Sequence, residues 1–231
     1  MSKKKLVILS GAGISAESGI KTFRDAGGLW EGHDVMEVAS PEGWNNNTEL
    51  VLDFYNQRRR QLHTVEPNAG HIGIAELEEH FNVYIITQNV DNLHERAGSS
   101  KVLHLHGELL KVRSIANSNY IIKWETDLNL GDSDPSGNQL RPHIVWFGEE
   151  IPALDEALAL TQLADVFVVV GTSLQVYPAA GLVGYTRPEV PVFYLDPNPA
   201  HIYNLQNPLE VIAETASAGM PILKDRLMLL L

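Results

Sequence analysis

The stretch Leu6-Val7-Ile8-Leu9-Ser10-Gly11-Ala12-Gly13-Ile14-Ser15-Ala16 decides the fold class. Its four leading apolar residues make a short buried strand. The Gly-x-Gly turn and small Ala16 that follow open a helix, an arrangement that lets backbone approach a pyrophosphate at a helix N-terminus. Taken alone, the glycine pair is a weak signal, since a tight strand-to-helix turn with no ligand also produces it. No Lys-Ser/Thr follows, as a P-loop needs. No isolated acidic residue about 20 residues on marks a second strand, as an ordinary dinucleotide dehydrogenase needs.

Outward from this stretch, Val83–Ile86, Val102–Leu105, Val166–Val170 and Val192–Leu195 are short runs rich in β-branched residues and read as buried parallel strands. Helical patterns over Ala69–His80 and Ile151–Leu163 lie between some of them. The alternation predicts an α/β fold, a Rossmann-like parallel sheet with helices on both faces. Two stretches interrupt it. Residues 26–68 and 113–141 are expected to form a small domain beside a core of residues 1–25, 69–112 and 142–231, within one catalytic domain spanning the chain. The second stretch carries Gly131-Asp132-Ser133-Asp134-Pro135-Ser136-Gly137 and reads as an irregular insertion. Each predicted strand ends in a polar cluster, at Ser10–Ser15, Thr87–Asp91, His106–Glu108, Gly171–Ser173 and Asp196–Asn198. Open α/β sheets bind ligands at the carboxyl ends of their strands, so one shared crevice is expected.

Composition narrows the partners. With 44% hydrophobic and 20% charged residues in 231, the chain is an ordinary globular protein. Seventeen Lys and Arg against 29 Asp and Glu give a net charge of −12 with no basic stripe, which argues against nucleic acid and favours basic, lysine-containing protein segments. The absence of cysteine excludes disulfides, thiolate chemistry and cysteine-held zinc. Met1-Ser2-Lys3-Lys4-Lys5 precedes only four apolar residues, too few for a signal-peptide core or a membrane span, so a cytoplasmic protein is expected. A monomer is favoured, but the sequence does not fix the oligomeric state.

Two candidate groups stand out. His106 ends a strand and precedes Gly107, which places an imidazole of ordinary pKa about 6.5 at the expected crevice. That placement alone does not separate a catalytic base from a satisfied core histidine. His104 points to the same sheet face but deeper and reads as a core histidine, while His71, His94 and His143 read as structural or surface groups. The second group lies in the segment 48–65. On a helical wheel Val51, Phe54, Tyr55 and Leu62 share a face, and Arg58 falls roughly 20° from Val51. A guanidinium there needs an anionic partner or a wet pocket, whereas Arg59 and Arg60 read as a solvated face.

Together these residues resemble the sirtuin family. The resembling stretches run from Ile8 to Pro221: Gly11–Ile20, Thr22-Phe23-Arg24, Gly28-Leu29-Trp30, Gln88–His94, Leu105-His106-Gly107, Val145–Glu149 and Gly171-Thr172-Ser173. The pair Tyr55 and Arg58 resembles the branch that prefers succinyl, malonyl or glutaryl groups on lysine. The resemblance implies an NAD-dependent protein-lysine deacylase. In it the acyl oxygen attacks C1′ of the nicotinamide ribose, and nicotinamide and an O-acyl-ADP-ribose are released. It implies that Gly11, Ala12, Gly13, Ile14, Ser15 and Ala16 hold the NAD diphosphate, with Phe23 and Arg24 on a cofactor loop. Gln88, Asn89 and Asp91 would line the nicotinamide and ribose pockets, and Gly171, Thr172, Ser173, Asn198 and Ala216 the adenosine half. His106 would be the base, with Asn89 and Asp91 assisting. Val145, Trp146, Phe147, Gly148 and Glu149, with the segment of Val176, would pair with an extended acyl-lysine peptide, while Tyr55 and Arg58 take a distal carboxylate.

The sequence departs from the family in one respect. Most sirtuins carry four zinc-binding cysteines in the insertion after the His-Gly pair, and here there are none. No structural zinc is expected, Asp127, Asp132 and Asp134 being a poor ligand set, and Tyr120, Ile121, Ile122, Trp124, Leu128 and Leu130 are expected to form an apolar plug in its place. Two other functions use the same cofactor residues, a mono-ADP-ribosyltransferase and a non-catalytic NAD or acyl-peptide sensor. A transferase has no evident use for Tyr55 and Arg58, and a sensor none for His106.

Overall fold

The structure, a computed structural model, describes residues 3–21, 29–30 and 32–231, with the backbone alone at Leu29. It divides into two compact units, residues 1–19, 66–105 and 152–231, and residues 20–65 and 106–151. Among the described residues no helix is long and apolar enough to cross a membrane.

The first unit is built on a six-stranded parallel sheet. Its strands run in the order Leu209–Ile212, Val192–Leu195, Val166–Val170, Lys5–Ser10, Asn82–Thr87, Val102–His104. Numbered along the chain and read from the other edge, this is 3-2-1-4-5-6, the order of dinucleotide-binding sheets. Lys5–Ser10 is central because nearly every residue in it is buried, Leu6 pairing with Val83 on one side and Val166 on the other. All five expected strands are present. The sixth, Leu209–Ile212, is an edge strand whose Leu209 and Val211 face solvent, so it lacks the continuous apolar run that marked the others. Ala69–Glu76 packs against the C-terminal helix Ala216–Met228, and Leu154–Gln162 against the 3-10 segment Ala179–Tyr185. Ile8, Ile14, Ile74, Phe81, Val168 and Leu223 belong to one apolar cluster between sheet and helices.

The second unit holds the helix Thr48–Leu62 and a three-stranded antiparallel sheet with Gly107–Ser114 between Ile121–Lys123 and Leu140–Ile144. Residues 113–141 are therefore not simply irregular, since the strand Ile121–Lys123, the end of Gly107–Ser114 and the start of Leu140–Ile144 lie among them. The apolar plug does not form. Of its six candidates only Leu128 is fully buried. Ile121 is 41% exposed because the short strand Ile121–Lys123 turns every second residue to water, and Leu130, in a turn, is 53% exposed. Hydrogen bonds hold the segment instead. The Asn56 side chain donates to Leu128 O (2.9 Å) and accepts from Leu128 N (2.8 Å).

Arg59 does not face solvent. It is 1% exposed, with Nε donating to Leu109 O (3.2 Å) and a terminal nitrogen to Asn56 Oδ1 (2.6 Å). Burial lowers its pKa to about 10, partly offset by Asp127, so it stays charged at neutral pH. Leu52, Asn56 and Arg59 recur at four and then three residues, a second buried stripe that the wheel centred on Val51 overlooks.

The three acidic residues weighed as zinc ligands are all engaged elsewhere. Asp127 pairs with Arg60, Asp132 accepts from Asn129 N (2.7 Å), and Asp134 accepts from the Ser114 hydroxyl (2.6 Å) and from the backbone of Ser136 and Asn138. Among the described residues no group of three or more His, Cys, Asp or Glu could hold a metal ion, so the residues present do not fit a zinc site. The Ser114 hydroxyl, followed by the Asn138 and Ser136 N–H groups, holds the Asp134 carboxyl down at about 2. A carboxyl depressed on folding adds stability that is fully present above its unfolded pKa of about 4 and is lost as pH falls through the folded value. The melting temperature should therefore fall between about pH 4 and pH 2 with a component that Asp134→Asn removes. Identical slopes in both proteins would show the Asp134 knot to be inert.

Candidate active site

Four of the five polar clusters lie at the carboxyl edge of the first unit's parallel sheet; His106–Glu108 belongs to the second unit. The order 3-2-1-4-5-6 reverses direction between the strands Lys5–Ser10 and Val166–Val170, which makes that point a natural crevice. The loops after these two strands meet there. Gly11 N donates to Val170 O (3.1 Å) and Gly13 N to Gly171 O (2.7 Å). A Cβ on Gly13 would lie 2.7–2.9 Å from Gly171 backbone atoms, so this glycine is required by loop-on-loop packing before any ligand is considered. Gln88 joins the same ends, its amide donating to Thr172 Oγ1 (3.0 Å).

Beneath them runs a buried polar chain whose proton positions follow from its donors. Asn68 N–H donates to His71 Nδ1 (3.4 Å), so Nε2 carries the ring proton and donates toward the Ser15 hydroxyl (3.4 Å). Ser15 also accepts from the Asn89 amide (3.1 Å) and donates to Asp91 Oδ2 (3.0 Å). Asp91 Oδ1 accepts from Leu93 N (3.1 Å). Burial pushes the Asp91 carboxyl up, against these hydrogen bonds. Beside it, Ser10 donates to Thr87 Oγ1 (2.9 Å), which leaves His94 Nε2 to donate to Ser10 (2.9 Å). Burial lowers His71 to about 4 and His94 well below the ordinary histidine range, so both rings are neutral near pH 7. The side-chain oxygen of Asn89 takes no hydrogen bond among the described residues.

Ser15, Asn89 and Asp91 are thus one hydrogen-bonded group, and His71 and His94 support it. Sequence reading set those two histidines aside. The available signal was Asn68-x-x-His71 at a helix start, a reciprocal cap that fixes the imidazole's direction. His104 is satisfied as expected, its ring nitrogens facing Asn89 O (2.9 Å) and Glu95 Oε1 (2.8 Å). Thr172 is buried, Ser173 half-buried and Asn198 exposed, while Ala216 opens the C-terminal helix. Phe23 and Arg24 lie outside the described residues.

In the second unit His106 is half-buried in the bend before the Gly107–Ser114 strand, and its carbonyl accepts from Val145 N (2.9 Å). Gly107 has φ +83°, and a Cβ there would lie 2.1 Å from His143 O, so the bend that presents His106 admits only glycine. Val145–Glu149 forms a turn, and most of its N–H groups are used internally. Val145 N reaches His106 O, Trp146 N reaches Glu149 Oε2 (2.8 Å) and Phe147 N reaches Ala39 O (2.9 Å). A peptide pairing along this segment would meet mainly its carbonyls. Val176 is half-buried next to the turn at Tyr177-Pro178 in the first unit.

Tyr55 and Arg58 do share a helix face. Tyr55 is fully buried among Trp30, Phe54 and Trp146 and accepts from Trp146 Nε1 (3.0 Å). Burial raises the phenol well above its ordinary value, with Trp146, Arg141 and Arg58 opposing, so Tyr55 keeps its proton. Arg58 is half-buried, stacked 3.9 Å over the Phe54 ring, and donates to Phe54 O (2.7 Å).

Comparison with known proteins identifies the family and the fold. A model described as the Sir2 family matches residues 11–178. A Helicobacter pylori protein named NAD-dependent protein deacylase is 59% identical over 224 residues, 97% of each chain. One of the same name from Bacteroides thetaiotaomicron is 52% identical over 230 residues, covering 97% of this chain and 98% of its own. A crystal structure of a Sir2 homolog–NAD complex superposes with a TM-score of 0.87 at 37% identity, over 98% of this chain and 90% of that one. With the family model matching residues 11–178 and relatives 52–59% identical over nearly the whole chain, the chain belongs to the Sir2 family.

Proposed function

We infer that this protein is an NAD-dependent protein deacylase, and we propose that it prefers lysines carrying succinyl, malonyl or similar anionic acyl groups. Family membership and the names of relatives at 52–59% identity support the activity. The preference rests on one observation. Tyr55 and Arg58, three residues apart on one helix, offer a retained phenolic proton and a guanidinium close enough to influence each other's charge.

Bound NAD supplies a ribose carbon from which nicotinamide departs. The first unit's residues fit such a dinucleotide, with glycine loops at the crevice of the sheet and polar groups beneath them. In this reading Gly11–Ala16 and Gly171–Ser173 receive the diphosphate and adenosine half. Asp91, held by Ser15 and Leu93 N, orients the nicotinamide amide, and the unpaired Asn89 oxygen positions a ribose hydroxyl or water. His106 would take a proton from a ribose hydroxyl, so that its oxygen can attack the acyl carbon; with water entering, the acyl group stays on that oxygen and the lysine amine leaves. Tyr55 and Arg58 bind the distal carboxylate, a charge-assisted contact.

The test is Arg58→Met assayed with matched succinyl- and acetyl-lysine peptides. Losing one charged hydrogen-bonding partner costs about 1.5–3 kcal/mol, so the succinyl-to-acetyl ratio of kcat/KM should fall roughly 10- to 150-fold. Equal losses on both peptides would make Arg58 a structural residue and defeat the preference.

A further inference from the structure

The direction of one hydrogen bond carries a consequence for specificity. An indole nitrogen can only donate, so in the 3.0 Å contact between Trp146 Nε1 and Tyr55 Oη the tyrosine oxygen is the acceptor. The hydroxyl proton of Tyr55 must then point elsewhere, and it finds no acceptor among the described residues. A buried donor left without an acceptor is costly and calls for a ligand that can accept. Because the opposite side of the oxygen is occupied by the indole N–H, Tyr55 can offer an incoming group a donor.

Trp146 is held firmly enough to impose that direction. The residue is 2% exposed, its ring lies 5.7 Å from that of Trp44 at an interplanar angle of 38°, and the Arg141 guanidinium sits 3.3 Å over it. Arg141 is fixed by Glu149, with N–O distances of 2.7 and 3.1 Å, and by Ile144 O (2.9 Å). Arg113 grips the same carboxylate at 3.0 Å from each oxygen, and the Trp146 N–H donates to it. Burial pushes the Glu149 carboxyl up, but Arg141, the Trp146 N–H and Arg113 outweigh it and keep it ionised. The carboxylate thus ties the indole and its stacked cation into one rigid group.

We propose that Trp146 is the positioning residue that fixes the Tyr55 hydroxyl as a donor, so that Tyr55 and Arg58 together read an acyl chain ending in a hydrogen-bond acceptor, above all a carboxylate. This deepens the acidic-acyl reading and rests on it. The acyl terminus itself meets Tyr55 and Arg58; Trp146 acts through Tyr55.

Two measurements test it. Trp146→Phe keeps an aromatic ring over which Arg141 can stack, and it removes the N–H donor together with part of the bicyclic ring. The succinyl-to-acetyl ratio of kcat/KM should fall about tenfold, through KM for the succinyl peptide, the size of one hydrogen bond to a charged group. A loss shared by both peptides leaves the ratio intact and overturns the proposal. The second measurement does not depend on turnover. The Trp146 indole N–H resonance, assigned by its disappearance in Trp146→Phe, should shift upfield and exchange faster in Tyr55→Phe. Adding a succinyl-lysine peptide without NAD should move it in the wild type, while an acetyl-lysine peptide should not. An indole resonance indifferent to Tyr55→Phe refutes the Trp146–Tyr55 bond whatever the acyl preference. If the resonance responds but the wild type turns over acetyl-lysine as well as succinyl-lysine, the acidic-acyl reading fails and the inference falls with it.

Discussion

Replacing His106 with alanine is expected to lower formation of the deacylated peptide by about 100- to 10,000-fold, the usual contribution of a positioned general base. The histidine is half-buried in a bend set by Gly107, and its backbone carbonyl, which alanine retains, holds Val145 N. The loss should also be selective in time. A base that acts on the ribose hydroxyl is needed after nicotinamide has left, so a single turnover with acyl peptide and NAD should still release nicotinamide while deacylated peptide fails to accumulate. If nicotinamide release and deacylation fall together, His106 acts earlier, or only in binding. Unchanged turnover would remove it from the chemistry.

The second large effect is expected at Gly13. An alanine methyl would be placed 2.7 Å from Gly171 O and 2.8 Å from Gly171 Cα, distances at which backbone has to move. Gly13 N also donates to that carbonyl at 2.7 Å, so the methyl pushes apart two loops that a hydrogen bond draws together. Overpacking of this kind costs about 1–3 kcal/mol, or roughly 2–12 °C of melting temperature in a protein of this size. The same displacement spoils the proposed diphosphate site, so the rise in melting temperature expected of the wild type at saturating NAD should vanish in Gly13→Ala. A Gly13→Ala protein that melts normally and is still stabilised by NAD would mean that the loops are looser than their contacts imply.

The first unit's fold was legible because its signals are local. A strand buried on both faces is an uninterrupted apolar run, and each run here is followed by a polar turn. Leu209–Ile212 escaped notice because at the sheet's edge it buries only one side of its alternation. The second unit was harder to read for the same physical reason. Ile121–Lys123 is three residues long and largely exposed, so no periodicity distinguishes it from the turns around it. Arg59 misled because charge suggested solvent, yet Asn56 Oδ1 and Leu109 O supply the acceptors that make its burial tolerable. Such acceptors come from tertiary structure and leave no local trace.

The site divides along similar lines. Gly11, Gly13, Gln88, Asn89 and Asp91 follow strands, which marks them as crevice residues, while their individual roles come from the family resemblance. Arg58 was singled out by the wheel, and the stack on Phe54 shows how its charge is accommodated on an apolar face. His71 and His94 required partners on other elements, Ser15 and Ser10, before their burial made sense. The direction of the Trp146–Tyr55 hydrogen bond joins residues 91 apart in sequence, and only the folded chain reveals it.

The most direct test is to incubate the purified protein with NAD and matched acetyl-, malonyl- and succinyl-lysine peptides, following deacylated peptide and nicotinamide together. Stoichiometric release of both, strictly dependent on NAD, with kcat/KM at least tenfold higher for malonyl or succinyl than for acetyl, is the expected result. No NAD-dependent release would contradict the deacylase, and equal or better turnover of the acetyl peptide would contradict the anionic pocket.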